Sequence, residues 1–211
     1  MNGRQLFCSL VALVFLLANA SCAQPDRYQL VGVCEGCEAV FEYGGRLLNP
    51  VDTLPEYESA DTKIKVTGVI YKPDGVTPAE NVILYVYHTN GGGIYPKRGT
   101  EKDWSRMHGY IRGWIKTGVD GRYTFYTSKP GAYPGRKDAA HIHPVILEPE
   151  GKYYWVDEFL FEGDSLITPA QREVKAPVGG TSGILQLRRE GNLLVGERDL
   201  ILGRNVKGYS E

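Results

Sequence analysis

Residues 62–75 read Thr-Lys-Ile-Lys-Val-Thr-Gly-Val-Ile-Tyr-Lys-Pro-Asp-Gly, and their pattern decides the fold class. Ile64, Val66, Gly68 and Ile70 alternate with Lys63, Lys65, Thr67 and Val69. That period of two places one set of side chains on a single buried face of a strand, and Lys72-Pro73-Asp74-Gly75 then supplies turn chemistry. Working outward, Asn81 to His88 forms a second strand rich in Val, Ile and Tyr that runs into Asn90-Gly91-Gly92-Gly93. Ile111 to Thr117 and Arg122 to Thr127 flank Asp120-Gly121, a hairpin signal. Two more strands, Ala140 to Leu147 and Lys152 to Phe161, surround Glu150-Gly151, and Ile184 to Arg188 is a further candidate. The 26 glycines and 12 prolines are spread along the chain, Ser165 to Gly183 reads as a loop, and no amphipathic helix interrupts the strands. The expectation is an all-β protein, an antiparallel β-sandwich whose long loops carry the functional side chains.

The amino terminus has a different character. Arg4, an apolar run from Leu6 to Ala18 and small residues before Gln24 follow the order of a secretory signal. The segment 1–21 is therefore expected to be a signal peptide directing export. Ala20-Ser21-Cys22 suits lipoprotein processing, with Cys22 as first mature residue and lipid anchor, although Asn19 stands where a lipobox has an aliphatic residue. Ala18-Asn19-Ala20 and Ser21-Cys22-Ala23 suit ordinary cleavage to a periplasmic or secreted form. Residues 22–60 form an extension containing Cys34 and Cys37, and 61–205 form one domain. In an exported chain with no second cysteine pair after the signal, a disulfide suits this C-x-x-C better than zinc or redox chemistry. With 24 basic and 25 acidic residues and no basic run, the composition argues against nucleic-acid binding.

Two of the four histidines occur as His141-Ile142-His143 within an expected strand. Side chains at i and i+2 of a strand share a face, so both imidazoles enter the same space, as two ligands on one metal do. A surface or packed pair is the plain alternative. Upstream, Tyr133 lies in Pro130-Gly131-Ala132-Tyr133-Pro134-Gly135-Arg136, and Tyr95 ends Gly91-Gly92-Gly93-Ile94-Tyr95-Pro96. Each tyrosine sits on a Gly/Pro loop at a strand end, where β scaffolds display functional groups. The Gly135–Glu148 segment, with His141-Ile142-His143 inside it, also matches much of the first cupin motif, but no histidine follows His143 to complete the site and Trp155 stands where a glycine is expected.

Together these stretches resemble the intradiol ring-cleavage dioxygenases, the catechol and protocatechuate dioxygenases that use non-haem ferric iron. Val66-Thr67-Gly68 resembles the family's first core strand, Arg112-Gly113-Trp114 and Asp120-Gly121-Arg122-Tyr123 the segments that follow, and Phe161-Glu162-Gly163-Asp164 a looser later match. The resemblance implies Fe(III) held by Tyr95, Tyr133, His141 and His143, with a catechol-type substrate and O2 as partners. It makes Tyr133 the displaceable ligand and proton acceptor, and it implies a cis,cis-muconate-type product. Two departures stand out. Tyr85 occupies a position that is often acidic, and Asp138 stands where many members have arginine, which leaves Arg136 as the candidate to stabilise charge on the substrate. Two other readings remain open. One is a non-catalytic transthyretin-like or carboxypeptidase-regulatory-like binding module, which the Ile64–Val86 region alone would fit. The other is a copper or zinc protein using His141 and His143 with His88 or His108. Trp104, Met107, Tyr110 and Tyr153 are candidates to line an aromatic pocket.

Overall fold

The computed structural model describes residues 27–210. The proposed signal segment and Cys22 lie outside them. Among the described residues thirteen strands occur in chain order: β1 (Gln29–Leu30), β2 (Val51–Thr53), β3 (Lys63–Tyr71), β4 (Ile83–His88), β5 (Arg112–Lys116), β6 (Arg122–Ser128), β7 (His141–Leu147), β8 (Lys152–Trp155), β9 (Phe159–Phe161), β10 (Ile184–Leu185), β11 (Arg188–Glu190), β12 (Leu193–Glu197) and β13 (Leu200–Ile201). One sheet has the order β1-β8-β7-β4-β5, with β9 also on β7 and β10 on β9. The other has the order β11-β12-β3-β6-β2, with β13 also on β3. Helical structure among the described residues is confined to a 3-10 turn at Cys37–Phe41 and two single turns, α1 (Ser105–His108) and α2 (Pro169–Arg172). None is long and apolar enough to cross a membrane.

The alternation in β3 is realised residue by residue. Ile64, Val66 and Ile70 are fully buried while their neighbours are half-exposed. They meet Leu84 and Val86 of β4, Phe125 of β6 and Ile142 and Ile146 of β7 in the core between the sheets. Strand β4 is covered on its other face too, because Tyr85, Trp114 and Val145 pack under Cys37, Ala39 and Val40 of the 3-10 turn. Burial on both faces is why its sequence reads as a nearly unbroken apolar run.

Two expectations need correction. The sheets are mixed rather than antiparallel: β3–β6, β4–β5, β4–β7 and β7–β8 are antiparallel, but β1, β2, β12 and β13 join as parallel strands. And Asp120-Gly121 is not a hairpin tip. Strand β5 pairs with β4 in one sheet and β6 with β3 in the other, so the turn crosses between sheets. The Gly121 carbonyl accepts from Ile70 N at 2.8 Å, which ties the crossover to the end of β3. The extension before residue 61 is built into the sandwich, through β1 on β8, β2 on β6 and the 3-10 turn over β4. Cys34 and Cys37 form a disulfide at the start of that turn.

Candidate metal centre

Two interlocked loops bring the tyrosines together. After β4, Asn90 closes a tight turn: its Oδ1 accepts from Gly92 N at 3.0 Å and Ile94 N at 3.1 Å. The second loop crosses directly over the first. Gly131 N donates to Asn90 O at 2.9 Å, Thr89 Oγ1 donates to Gly131 O at 2.9 Å, and Gly93 lies against the Ala132 carbonyl. A side chain on either glycine would collide with backbone, so this crossing requires the Gly-rich composition of both segments. His141 and His143 project from β7, where His143 is directly opposite Tyr87 of β4.

Four donor atoms converge as a result. Tyr95 Oη is 2.6 Å from Tyr133 Oη, which is 3.3 Å from Nε2 of both His141 and His143, and the two Nε2 atoms are 3.0 Å apart. His141 Nδ1 is 2.6 Å from the Ala139 carbonyl, which fixes the tautomer that leaves Nε2 free for a metal. Donors each about 2 Å from a common ion lie roughly 3 Å apart, so the spacing fits a metal-binding set. The electrostatics fit as well. Burial, reinforced by the hydrogen bond to Tyr133, pushes the Tyr95 phenol far above its usual range, and burial also raises Tyr133. Burial, with His141 beside it, lowers His143 to about 3. Without a cation the site therefore holds two phenols and neutral imidazole at His143, and a multivalent cation supplies the charge that turns phenols into phenolates.

The other histidines are engaged elsewhere. His88 is fully buried, with Nδ1 2.6 Å from the Thr89 carbonyl and Nε2 2.7 Å from Thr127 Oγ1. His108 Nδ1 lies 2.8 Å from Tyr85 Oη. Among the described residues no group of three or more His, Cys, Asp or Glu forms a metal cluster, so the tyrosines are needed to complete a four-donor set. Arg136 extends over the Tyr133 ring at 5.2 Å and pairs with Asp138 at 3.0 Å, with its side chain largely exposed. Of the four candidate pocket residues, Met107 borders the surface shared by Tyr95, Tyr133 and Arg136. Trp104 stacks on His108, Tyr110 bonds Glu56, and Tyr153 packs on Phe41. Sequence reasoning missed a cavity of about 250 Å³ on the other side, lined by Cys34, Glu35, Tyr87, His143, Trp155 and Glu158 among others.

No family model matches the chain. Over 140 residues it is 31% identical to the protocatechuate 3,4-dioxygenase beta chain of Burkholderia cepacia, covering 59% of this chain and 58% of that one. Over 139 residues it is 26% identical to catechol 1,2-dioxygenase 1 of Acinetobacter lwoffii, covering 57% and 42%. In sequence and fold, the chain is similar to the intradiol ring-cleavage dioxygenases. It spans about half the length of the curated relatives it matches. The dioxygenase domain of a carbohydrate-binding fusion protein from Streptomyces sp. SirexAA-E superposes with a TM-score of 0.52 at 24% identity, over 75% of this chain and 93% of that one. An intradiol ring-cleavage dioxygenase from Tetranychus urticae gives 0.54 at 18% identity, over 79% and 90%. Both share the fold of this chain.

Proposed function

We propose that this protein is a non-haem Fe(III) dioxygenase that cleaves a catechol-type ring between its two hydroxyl-bearing carbons, inserting both atoms of O2 to give a cis,cis-muconate-type diacid. The observation that carries this reading is one linked set of donors: Tyr133 Oη and the Nε2 atoms of His141 and His143 lie within hydrogen-bond distance of each other, and Tyr95 Oη joins them through Tyr133 Oη. Tyr95, Tyr133, His141 and His143 would hold the iron. When bound, ferric iron draws electron density from a catecholate and so makes its ring reactive toward O2. Two phenolates and two neutral imidazoles suit this hard cation and offset much of its charge.

The protein's own groups then have distinct tasks. Tyr133 Oη, at the junction of Tyr95 and both imidazoles, is placed to accept the proton that a catechol hydroxyl gives up on binding. Arg136 lies across the Tyr133 ring, where its charge favours anionic oxygen, and it lowers the Tyr133 phenol against the larger effect of burial. The cavity beside His143 receives the ring, with Tyr87 and Trp155 as its aromatic lining. Glu35 and Glu158 are its charged lining residues, and neither lysine nor arginine joins them among the described residues, which favours uncharged or cationic ring substituents.

The amino-terminal sequence supports export of the mature chain, with Cys22 as a candidate lipid anchor. Mass spectrometry of the mature amino terminus from a membrane fraction tests this: an acylated Cys22 supports anchoring, and an unmodified cut at Ala20 or Ala23 supports release.

A visible spectrum with elemental analysis, recorded before and after catechol is added under nitrogen, tests the catalytic reading. Near-stoichiometric iron, a broad visible band and its shift to longer wavelength are expected. A colourless chain that stays iron-free after reconstitution would overturn the reading and leave a β-sandwich binding module.

A further inference from the structure

The two histidine ligands are held in different ways. His141 is fixed by its Nδ1 contact with the Ala139 carbonyl. For His143, among the described residues, both hydrogen bonds are made at Nε2, the donor atom itself, and none at Nδ1. A ligating imidazole normally gains its orientation from a partner on its second nitrogen. His143 has a column of rings instead. Its imidazole stacks on Tyr87 at 4.5 Å and 15°, and the opposite face of the column continues from Tyr87 to His108 at 3.7 Å and 10°. His108 is next to Trp104, at 5.7 Å and 23°.

Each distal ring in the column is itself restrained. His108 Nδ1 meets the hydroxyl of Tyr85, a fully buried side chain that packs on Trp114 at 4.8 Å. Trp104 N donates to Glu42 Oε1 at 2.9 Å, and Glu42 also pairs with Arg112 at 2.5 Å. Gly36, between the two disulfide cysteines, lies so close that a Cβ there would be 2.7 Å from His108 Nε2 and 3.2 Å from Trp104. The disulfide loop thus closes the far end of the column, and the metal-facing ring occupies the near end.

We propose that His108 is a positioning residue for His143, acting through Tyr87, and that the Cys34–Cys37 loop keeps the column seated by holding Gly36 against His108. This rests on the assignment of His143 as an iron ligand. The column restricts rotation of the His143 ring about its side-chain bonds, so that Nε2 stays directed at Tyr133 Oη and His141 Nε2. Loss of the His108 ring would let Tyr87 relax away and free His143 to swing. Opening the disulfide would release Gly36 and loosen the column from the other end.

The experiment follows iron release from the loaded protein into a strong ferric chelator, read as decay of the visible band, for the parent, His108→Ala, His108→Phe and the parent after selective reduction of the disulfide. His108→Ala is expected to release iron about 10- to 100-fold faster, the usual range for losing support behind a metal ligand. The Phe variant, which keeps a ring but not the Tyr85 bond, should recover much of that loss, and reduction should accelerate release in the same direction. In parallel, imidazole 15N shifts of His143 in the iron-free protein should move in the Ala variant. Release at the parental rate in both the Ala variant and the reduced protein, or an unmoved His143 signal, would overturn the inference. If the parent takes up no iron at all, the ligand assignment fails first, and the iron-free signal still decides whether His108 sets the ring.

Discussion

Gly93 and Ala132 touch: a Cβ on Gly93 would lie 1.9 Å from the Ala132 carbonyl oxygen, with Gly93 at φ +76°. The two tyrosine-bearing loops therefore meet backbone to backbone, and the 2.6 Å separation of Tyr95 and Tyr133 depends on that contact. Gly93→Ala has to push the loops apart and strain the backbone, at about 1–3 kcal/mol. The expected outcome is a protein that still folds, with a lower melting temperature, and that has lost most of its iron uptake. Retention of stoichiometric iron with the parental visible band would show that the crossing does not set the site.

The two tyrosines should separate on substitution. Tyr133 has both imidazoles and Tyr95 as neighbours and is the group proposed to take the substrate proton. Tyr133→Phe should lower turnover by about 10²–10⁴, the usual worth of a positioned proton acceptor, while iron stays bound through the remaining three donors. Tyr95→Phe should weaken iron binding and bleach the visible band. Measuring kcat alongside bound iron for each variant checks the pair, and identical losses in both would contradict the division of roles.

Much of this site was legible in the sequence because its parts obey short-range rules. His141 and His143 share a face through strand periodicity, and the tyrosines sit on loops whose glycines and prolines announce a tight path. What was not legible depends on contacts between distant segments. Asp120-Gly121 carries hairpin chemistry, yet the partners of β5 and β6 lie in different sheets, and nothing within residues 111–127 encodes that. Parallel pairing of β2, β12 and β13 likewise depends on where the chain returns. Tyr87 reads as an ordinary strand aromatic until the disulfide turn covers that face of β4 and His108 stacks on it.

Acid should destabilise the iron-free protein through its buried histidines. His88 is fully buried and burial lowers it to about 4; burial lowers His108 to about 4 as well, with Arg112 a lesser cause. Below the ordinary histidine value of about 6.5 the unfolded chain binds protons that the folded chain refuses, so stability falls as pH drops from about 6.5 toward 4. The slope approaches about 1.4 kcal/mol per pH unit for each such histidine, with a smaller share from the less buried His108. Denaturant unfolding of the iron-free protein at pH 7, 5.5 and 4.5 reads this directly. His143, which burial lowers to about 3, adds to the slope with the same sign in the iron-free protein, and a flat profile across that window would mean that none of the three imidazoles resists protonation in the fold.

The charge of the cavity beside His143 should show in the choice of substrate. Glu158 is half-buried there, and its negative charge contributes, behind burial, to raising both Tyr87 and Tyr133, so its field reaches both phenols. Glu35 adds a second carboxylate from the disulfide loop, also felt at Tyr87. A catechol bearing a carboxylate would bring like charge into this space, at a penalty on the order of 1–2 kcal/mol near a surface with partial screening. The ratio of kcat/KM for catechol to that for 3,4-dihydroxybenzoate should therefore be high, and Glu158→Gln should lower it roughly tenfold by rescuing the acid. Added salt should narrow the gap in the parent and barely affect the variant. If the ratio is unchanged by Glu158→Gln, the ring enters instead from the face bordered by Lys97, Met107 and Arg136, where a carboxylate would meet positive charge.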